Sequence, residues 1–242
     1  MTKLAFKGLR KMNLICFPYA GASATIFNKW QSAASPQLHI VPVELAGRGH
    51  RIEETLYSGF DALIKDMMLQ IDGVIKKGPY CLFGHSLGGK IAHEITRRLE
   101  ATMLPLPRHL FISGRRAPLT VNQSNRYCDL TDEEFAREVR QLGGTQPEIF
   151  ASQELLNFFL PILRHDFALS EVEDDSGNFL PIVTDMTAIF GTEEQLTAQQ
   201  VSAWRNYTTG SFTTYFIKGG HFFVNSHTKE IVQLIKTTLK II

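Results

Sequence analysis

Apolar positions along this chain follow two rhythms. Short apolar runs bounded by turn residues alternate with longer stretches in which apolar positions recur every three or four residues. Asn13–Phe17 is a short run that ends at Pro18, with Gly21 soon after, so it reads as a strand followed by a loop. His39–Val43 reads as a second strand. Phe60, Leu63, Ile64, Met67, Met68, Ile71, Val74 and Ile75 then repeat at helical spacing until Gly78-Pro79 stops them. Tyr80–Phe83 reads as a buried strand, Gly88 to Glu100 as a helix, and His109–Ser113 as another strand. Near Asp129 the pattern changes. Thr131–Leu142 predicts a helix, with Thr131 and Glu134 spaced as a capping box. Gln153–Leu163 predicts a second, kinked or interrupted near Pro161. Strand character returns at Ile182–Phe190, followed by a helix over Ala198–Tyr207, a strand over Phe212–Ile217 and a closing amphipathic helix over Thr228–Leu239.

Strands alternating with helices predict an α/β fold: a mostly parallel central sheet covered by helices on both faces. The expected organisation is a loose tail over residues 1–11, a core built from 12–128 and 181–242, and a helical insertion over 129–180. Open sheets of this kind bind ligands beyond the carboxyl ends of their strands.

Composition narrows the function classes. With 242 residues, 44% of them hydrophobic, the chain buries a core without staples and is not a disordered segment. The net charge of +1 argues against a nucleic-acid binder. No run of about 18 uncharged apolar residues is present, so no membrane span is expected. The three cysteines, Cys16, Cys81 and Cys128, make a poor disulfide framework, and Cys16 and Cys81 read as small core residues. No CxxC or HExxH occurs, so a metal site has little support, and no cofactor is expected either. The basic start (Lys3, Lys7, Arg10, Lys11) is followed by an apolar run that Pro18 breaks, too short for a signal peptide. A cytoplasmic protein is expected, with Met12 a second candidate for its first residue.

The strongest chemical signal is Gly84-His85-Ser86-Leu87-Gly88-Gly89, between a predicted strand and a predicted helix. This is a G-x-S-x-G elbow in the strand–turn–helix setting that exposes a serine hydroxyl above a sheet edge. The hydroxyl needs a base. His221 is the best placed, after Gly219-Gly220 and the strand Phe212–Ile217. His85 sits in the elbow but points away from Ser86 in an ordinary turn. The other histidines have no motif support. An acid that orients the imidazole falls between Ser86 and His221 in the chain order of this arrangement. Ile189-Phe190-Gly191 ends a predicted strand, and Glu194 stands three residues after the glycine. Glu194 is preferred to its neighbour Glu193 and to Asp185. An oxyanion hole takes two backbone N–H donors. Leu87 supplies one, and Ala20 the other, from the loop Pro18–Ala22, with Tyr19 as the rival.

Taken together these segments resemble the type II thioesterases of polyketide and nonribosomal peptide synthesis, from about Met12 to the end. Cys16–Ser23 resembles that family's oxyanion loop, with Tyr19 where His is more frequent. Leu45–Arg51 resembles its P-G-R-x-x-R loop, with Ala46 in place of Pro. Leu142–Thr145 and Leu160–Phe167 resemble its lid helices, and Gly219–Phe223 its histidine loop. Glu194 replaces the usual Asp. The resemblance implies an α/β-hydrolase fold with a helical lid, a monomer, and an editing hydrolase. Such an enzyme removes aberrant or stalled acyl groups from the phosphopantetheine thiol of carrier proteins. A chain-terminating fatty-acyl thioesterase and a small-molecule esterase are the alternatives.

The charge near zero conceals an asymmetry. Up to Arg51 seven basic residues (Lys3, Lys7, Arg10, Lys11, Lys29, Arg48, Arg51) face one acid, Glu44. From Asp129 to Glu194 fifteen acids face Arg137, Arg140 and Arg164. An acidic carrier is therefore expected to dock on the body, near Arg48, Arg51 or Arg115–Arg116.

Overall fold

The computed structural model describes residues 11–118, 126–172 and 180–241. Strand β1 (Met12–Phe17) shows how the core is built. Alternate side chains of a strand face opposite ways. Ile15 and Phe17 therefore join one apolar cluster with Leu82, Leu110 and Ile112, while Leu14 and Cys16 join another with Cys81, Phe83 and Phe111. Both faces are covered, which is why the strands read as continuous apolar runs rather than alternating ones.

The other strands are β2 (Leu38–Pro42), β3 (Tyr80–His85), β4 (Leu110–Ser113), β5 (Met186–Gly191) and β6 (Phe212–Ile217). Among the described residues they form one sheet in the order β2-β1-β3-β4-β5-β6, with each neighbouring pair parallel. The order reverses between β1 and β3, and such a switch point opens a crevice at the carboxyl ends of the two strands. Helices α2 (Phe60–Ile75) and α3 (Leu87–Ala101) cover one face; α1 (Trp30–Ala33) and α9 (Thr228–Thr238) cover the other. The short helices α7 (Ala198–Ser202) and α8 (Phe223–Ser226) follow β5 and β6.

Between β4 and β5 lie α4 (Asp132–Leu142), α5 (Pro147–Ala151) and α6 (Gln153–Glu171). The capping box at Thr131 and Glu134 is formed. Phe135, Val139 and Leu163 make a small cluster of their own, joined by Phe159 and Phe167. The far end of α6 is tied to the body. Lys90 Nζ donates to the carbonyls of Leu169 (3.0 Å) and Val172, and the Arg115 guanidinium donates to Ser170 Oγ (2.7 Å) and Ser170 O (3.0 Å).

Three sequence expectations change. Helix α6 does not stop near Pro161 but continues to Glu171. Pro161 is exposed, so water can reach the carbonyl its missing N–H leaves unpaired, and buried Ile162, Leu163, Asp166 and Leu169 hold the next two turns in place. The strand expected from Ile182 begins at Met186, and Ile182 makes an isolated bridge with Thr208. The helix over Ala198–Tyr207 tightens to a 3-10 turn at Ala203, where Trp204 and Tyr207 are buried. The expected tail lies outside the described residues except for Lys11, which is exposed. Part of the expected insertion, residues 173–179, lies outside them too.

Candidate active site

The elbow forms as the glycine pattern requires. Ser86 follows β3 directly and caps α3 with φ 53° and ψ −113°. This conformation is sparsely populated for a residue with a side chain, and such strain concentrates at functional sites. The turn is tight because small residues flank it. A Cβ on Gly84 would overlap the Gly88 carbonyl, and one on Gly88 would overlap the Phe17 carbonyl at the end of β1. Ser86 N–H donates to Ser113 O (2.8 Å), and Ser86 O accepts from Gly89 N–H (2.9 Å), which fix the peptide on both sides. Leu87 is the first residue of α3, so its N–H has no acceptor within the helix and lies at the positive end of the helix dipole.

His221 and Glu194 meet as expected. Nδ1 of His221 is 3.1 Å from Oε2 of Glu194, and the other carboxylate oxygen accepts from Gly191 N–H at 2.8 Å. The imidazole is 27% exposed and the carboxylate 12%. Glu193 is exposed, and its N–H bonds Gly219 O. Asp185 lies before β5, at the opposite end of the strands, where it accepts from Ser211 N–H (2.7 Å). Among the three acids weighed from sequence, Glu194 is the one against the imidazole.

The loop after β1 is a turn closed by Ala22 N–H donating to Tyr19 O (3.0 Å), with Gly21 at φ 78° in its third position. Gly21 N–H is engaged by Asp166 Oδ2 (2.7 Å). Among the described residues no protein acceptor pairs with the N–H of Ala20 or of Tyr19. The Tyr19 side chain turns elsewhere: its hydroxyl accepts from Asn225 Nδ2 (3.0 Å) and donates to Gly144 O (3.2 Å), joining the loop before α5 to the segment after His221.

His85, set aside as a base, packs against the machinery. Its ring centroid is 5.0 Å from that of His221, and its Nδ1 is 2.9 Å from Ser113 Oγ. Complete burial holds its pKa well below the ordinary histidine value. A neutral ring there adds no positive charge beside the His221 imidazole. Its place in the elbow is the one local feature of the sequence that sets it near His221.

The expected docking arginines are otherwise employed. Arg48 is 4% exposed and forks onto the fully buried carboxylate of Asp166. Arg51 is held by Asp66 (2.7 Å) and Glu54. Arg115 is engaged by Ser170, and Arg116 Nη2 lies 3.5 Å from Gln195 O. Arg48 in particular offers nothing to a partner.

Among the described residues no group of three or more His, Cys, Asp and Glu side chains is placed to hold a metal, and no helix is long and apolar enough to cross a membrane. Cys16 and Cys81 are buried, with burial pushing the Cys81 thiol up to about 12, and Cys128 is exposed. A hollow of about 560 Å³ lined by Tyr80, Pro105, Arg108 and Asp185 lies at the amino ends of the strands. It is remote from Ser86 and takes no part in this chemistry.

Comparison with known proteins places the chain in a family. The thioesterase-domain family matches residues 12–239. The linear gramicidin dehydrogenase LgrE of Brevibacillus parabrevis is 33% identical over 94% of this chain and 87% of its own length. The medium-chain S-acyl fatty acid synthase thioesterase of Homo sapiens is 30% identical over 92% of this chain and 84% of its own. The solved type II thioesterase BorB from the borrelidin biosynthetic cluster superposes with a TM-score of 0.82 at 30% identity, covering 94% of this chain and 92% of that one. The chain belongs to the thioesterase family, and it stands there with the type II thioesterases of nonribosomal peptide and polyketide pathways.

Proposed function

We propose that this protein hydrolyses acyl thioesters on the phosphopantetheine thiol of carrier proteins, clearing aberrant or stalled groups from a synthase. The observation that carries the reading is the Glu194–His221 contact at the carboxyl edge of the sheet that also bears Ser86 in its strained elbow. Ser86 Oγ attacks the thioester carbonyl as His221 takes its proton. The developing oxyanion is received by the N–H groups of Leu87 and Ala20. Glu194 holds the imidazole in the tautomer that presents Nε2 to the serine, and it stabilises the imidazolium. The C–S bond breaks, and His221 returns its proton to the leaving thiolate. Water then attacks the acyl-serine, with His221 as base again, releasing the free acid and restoring Ser86.

Helices α4 to α6 serve as a lid over the acyl chain, supported by their separate small core and by the Tyr19–Gly144 contact beside the catalytic loops. Leu155 and Phe158, exposed on the first half of α6, leave apolar surface there. No dehydrogenase chemistry follows from the name of the gramicidin relative. The loop after β1 here is Pro18-Tyr19-Ala20-Gly21-Ala22, without the G-x-G-x-x-G turn that seats a dinucleotide.

The test is intact-mass spectrometry of an acyl-loaded carrier domain with wild-type protein and Ser86→Ala. Wild type returns the carrier to its free-thiol mass, and Ser86→Ala leaves it loaded; equal deacylation by both would overturn the mechanism. A higher kcat/KM on the loaded carrier than on a p-nitrophenyl ester of the same acyl group separates this reading from that of a small-molecule esterase.

A further inference from the structure

Helix α6 reaches into the loop that carries Ala20. The Leu163 side chain lies where a Cβ on Gly21 would be, so the helix and the loop backbone are in direct contact. One turn on, Asp166 is fully buried and uses both carboxylate oxygens. Oδ2 accepts from Gly21 N–H at 2.7 Å and from one arm of the Arg48 guanidinium, while Oδ1 accepts from the other arm at 2.8 Å. His165 Nδ1 faces Oδ1 at 3.4 Å. Arg48 is itself seated, its Nε donating to Ala46 O at 3.3 Å. The carboxylate is thus clamped from the β2 side and presents an oxygen to a single loop amide.

That amide adjoins the donor assigned to the oxyanion hole. Ala20 and Gly21 are the two central residues of the turn closed by Ala22 N–H and Tyr19 O. Such a turn has a near relative in which the central peptide plane is flipped, and a glycine at φ 78° does little to resist that flip. An acceptor on Gly21 N–H fixes the plane between Ala20 and Gly21.

Resting on the functional reading above, we propose that Asp166, held by Arg48, is a positioning residue for the oxyanion hole. Its bond to Gly21 N–H sets the turn from which Ala20 N–H meets the substrate oxygen. Asp166 touches no reacting atom, and it ties the geometry of the hole to the seating of α6. A buried fork of this kind otherwise counts only as a structural ion pair, whose one-sided loss is strongly destabilising without necessarily unfolding the chain. The experiment must therefore separate positioning from stability.

Two variants do so. Asp166→Asn keeps the shape of the side chain and removes its charge. The double variant Arg48→Met/Asp166→Leu replaces the pair by apolar side chains of similar bulk, a change that buried ion pairs commonly tolerate, and leaves Gly21 N–H without its acceptor. The probes are hydrolysis of an acetyl-pantetheine thioester and inhibition by an alkyl boronic acid, whose adduct on Ser86 places an oxygen in the hole. The expected result is a fall in kcat of about tenfold for Asp166→Asn and about a hundredfold for the double variant. KM stays within about threefold of wild type, and boronate affinity falls in parallel with kcat. A folded variant with kcat and boronate affinity within about twofold of wild type overturns the proposal, as does a rise in KM at constant kcat. Ser86→Ala is run alongside. If it still hydrolyses the thioester, the reading of the site falls and the proposal with it; if it is inert while the Asp166 variants are unimpaired, the positioning role alone falls.

Discussion

Glu194 and His221, 27 positions apart in the chain, meet through Oε2 and Nδ1 at 3.1 Å, and the second carboxylate oxygen of Glu194 is occupied by Gly191 N–H. The glutamate is thereby anchored to the end of β5 and cannot swing away from the imidazole without giving up a backbone bond. Glu194→Gln keeps the shape and removes the acceptor charge that holds the Nδ1–H tautomer. It is expected to lower kcat by about 10³- to 10⁴-fold with the fold intact. Glu193→Ala, at an exposed position, is expected to stay within about twofold of wild type. Steady-state hydrolysis of a loaded carrier by both variants checks the assignment; the opposite ranking would move the acid to Glu193.

Ser86, His221 and Glu194, the residues proposed to do the chemistry, stand out in the sequence because each sits at a strand end marked by glycine. Gly84 and Gly88 frame Ser86, Gly219-Gly220 precede His221, and Gly191 precedes Glu194. Turn chemistry is local, so a local reading finds it. Arg48 and Asp166 are different. They stand 118 positions apart, and the loop around Arg48 looks like a solvated basic surface. Only the fold reveals that the guanidinium points inward to a carboxylate. The same carboxylate breaks the apolar spacing of α6 after Leu163, which together with Pro161 made the helix look shorter than it is. His85 is a related case: the turn points it away from Ser86, and only the fold shows that it is buried beside His221.

Ser86 carries strain that its side chain alone does not explain away. At φ 53° and ψ −113° a residue with a Cβ is disfavoured, at a cost of about 1–3 kcal/mol. Glycine adopts that conformation freely, although it adds roughly 0.5–1 kcal/mol of backbone entropy to the unfolded chain. Ser86→Ala and Ser86→Gly both remove the hydroxyl and are both expected to be inert. They differ in stability: Ser86→Gly is expected to unfold at higher denaturant, by about 1 kcal/mol relative to Ser86→Ala. Urea titrations of the two variants check this, and a lower midpoint for Ser86→Gly than for Ser86→Ala would mean that the elbow is not strained.

Three buried histidines make stability depend on pH. His85 is held well below the ordinary histidine pKa by burial, and burial pushes His93 and His109 down to about 4. Their surroundings favour the neutral rings: His93 packs against Trp204 and Tyr207, and His109 Nε2 lies 2.8 Å from Thr187 Oγ1. Between about pH 4 and the unfolded value near 6.5 the unfolded chain binds protons that the folded chain refuses. Stability is therefore complete above about 6.5 and falls as pH drops through that window. His165 acts in the opposite sense. Its bond to Asp166 raises its pKa, so its contribution is complete below 6.5 and fades above it. The carboxylates whose pKa values are lowered, Asp66, Glu94 and Asp166 in the fold and Glu54, Asp61 and Glu134 on the surface, withdraw their contributions only below about pH 4.5, outside this range. From pH 7 to pH 5 each of the three buried histidines is expected to remove on the order of 1–2 kcal/mol, less what His165 returns near neutrality. Urea midpoints measured across that interval check the sign, and His93→Gln or His109→Gln should flatten the slope by about one proton each. A midpoint that rises on acidification would mean that these rings are charged in the folded protein.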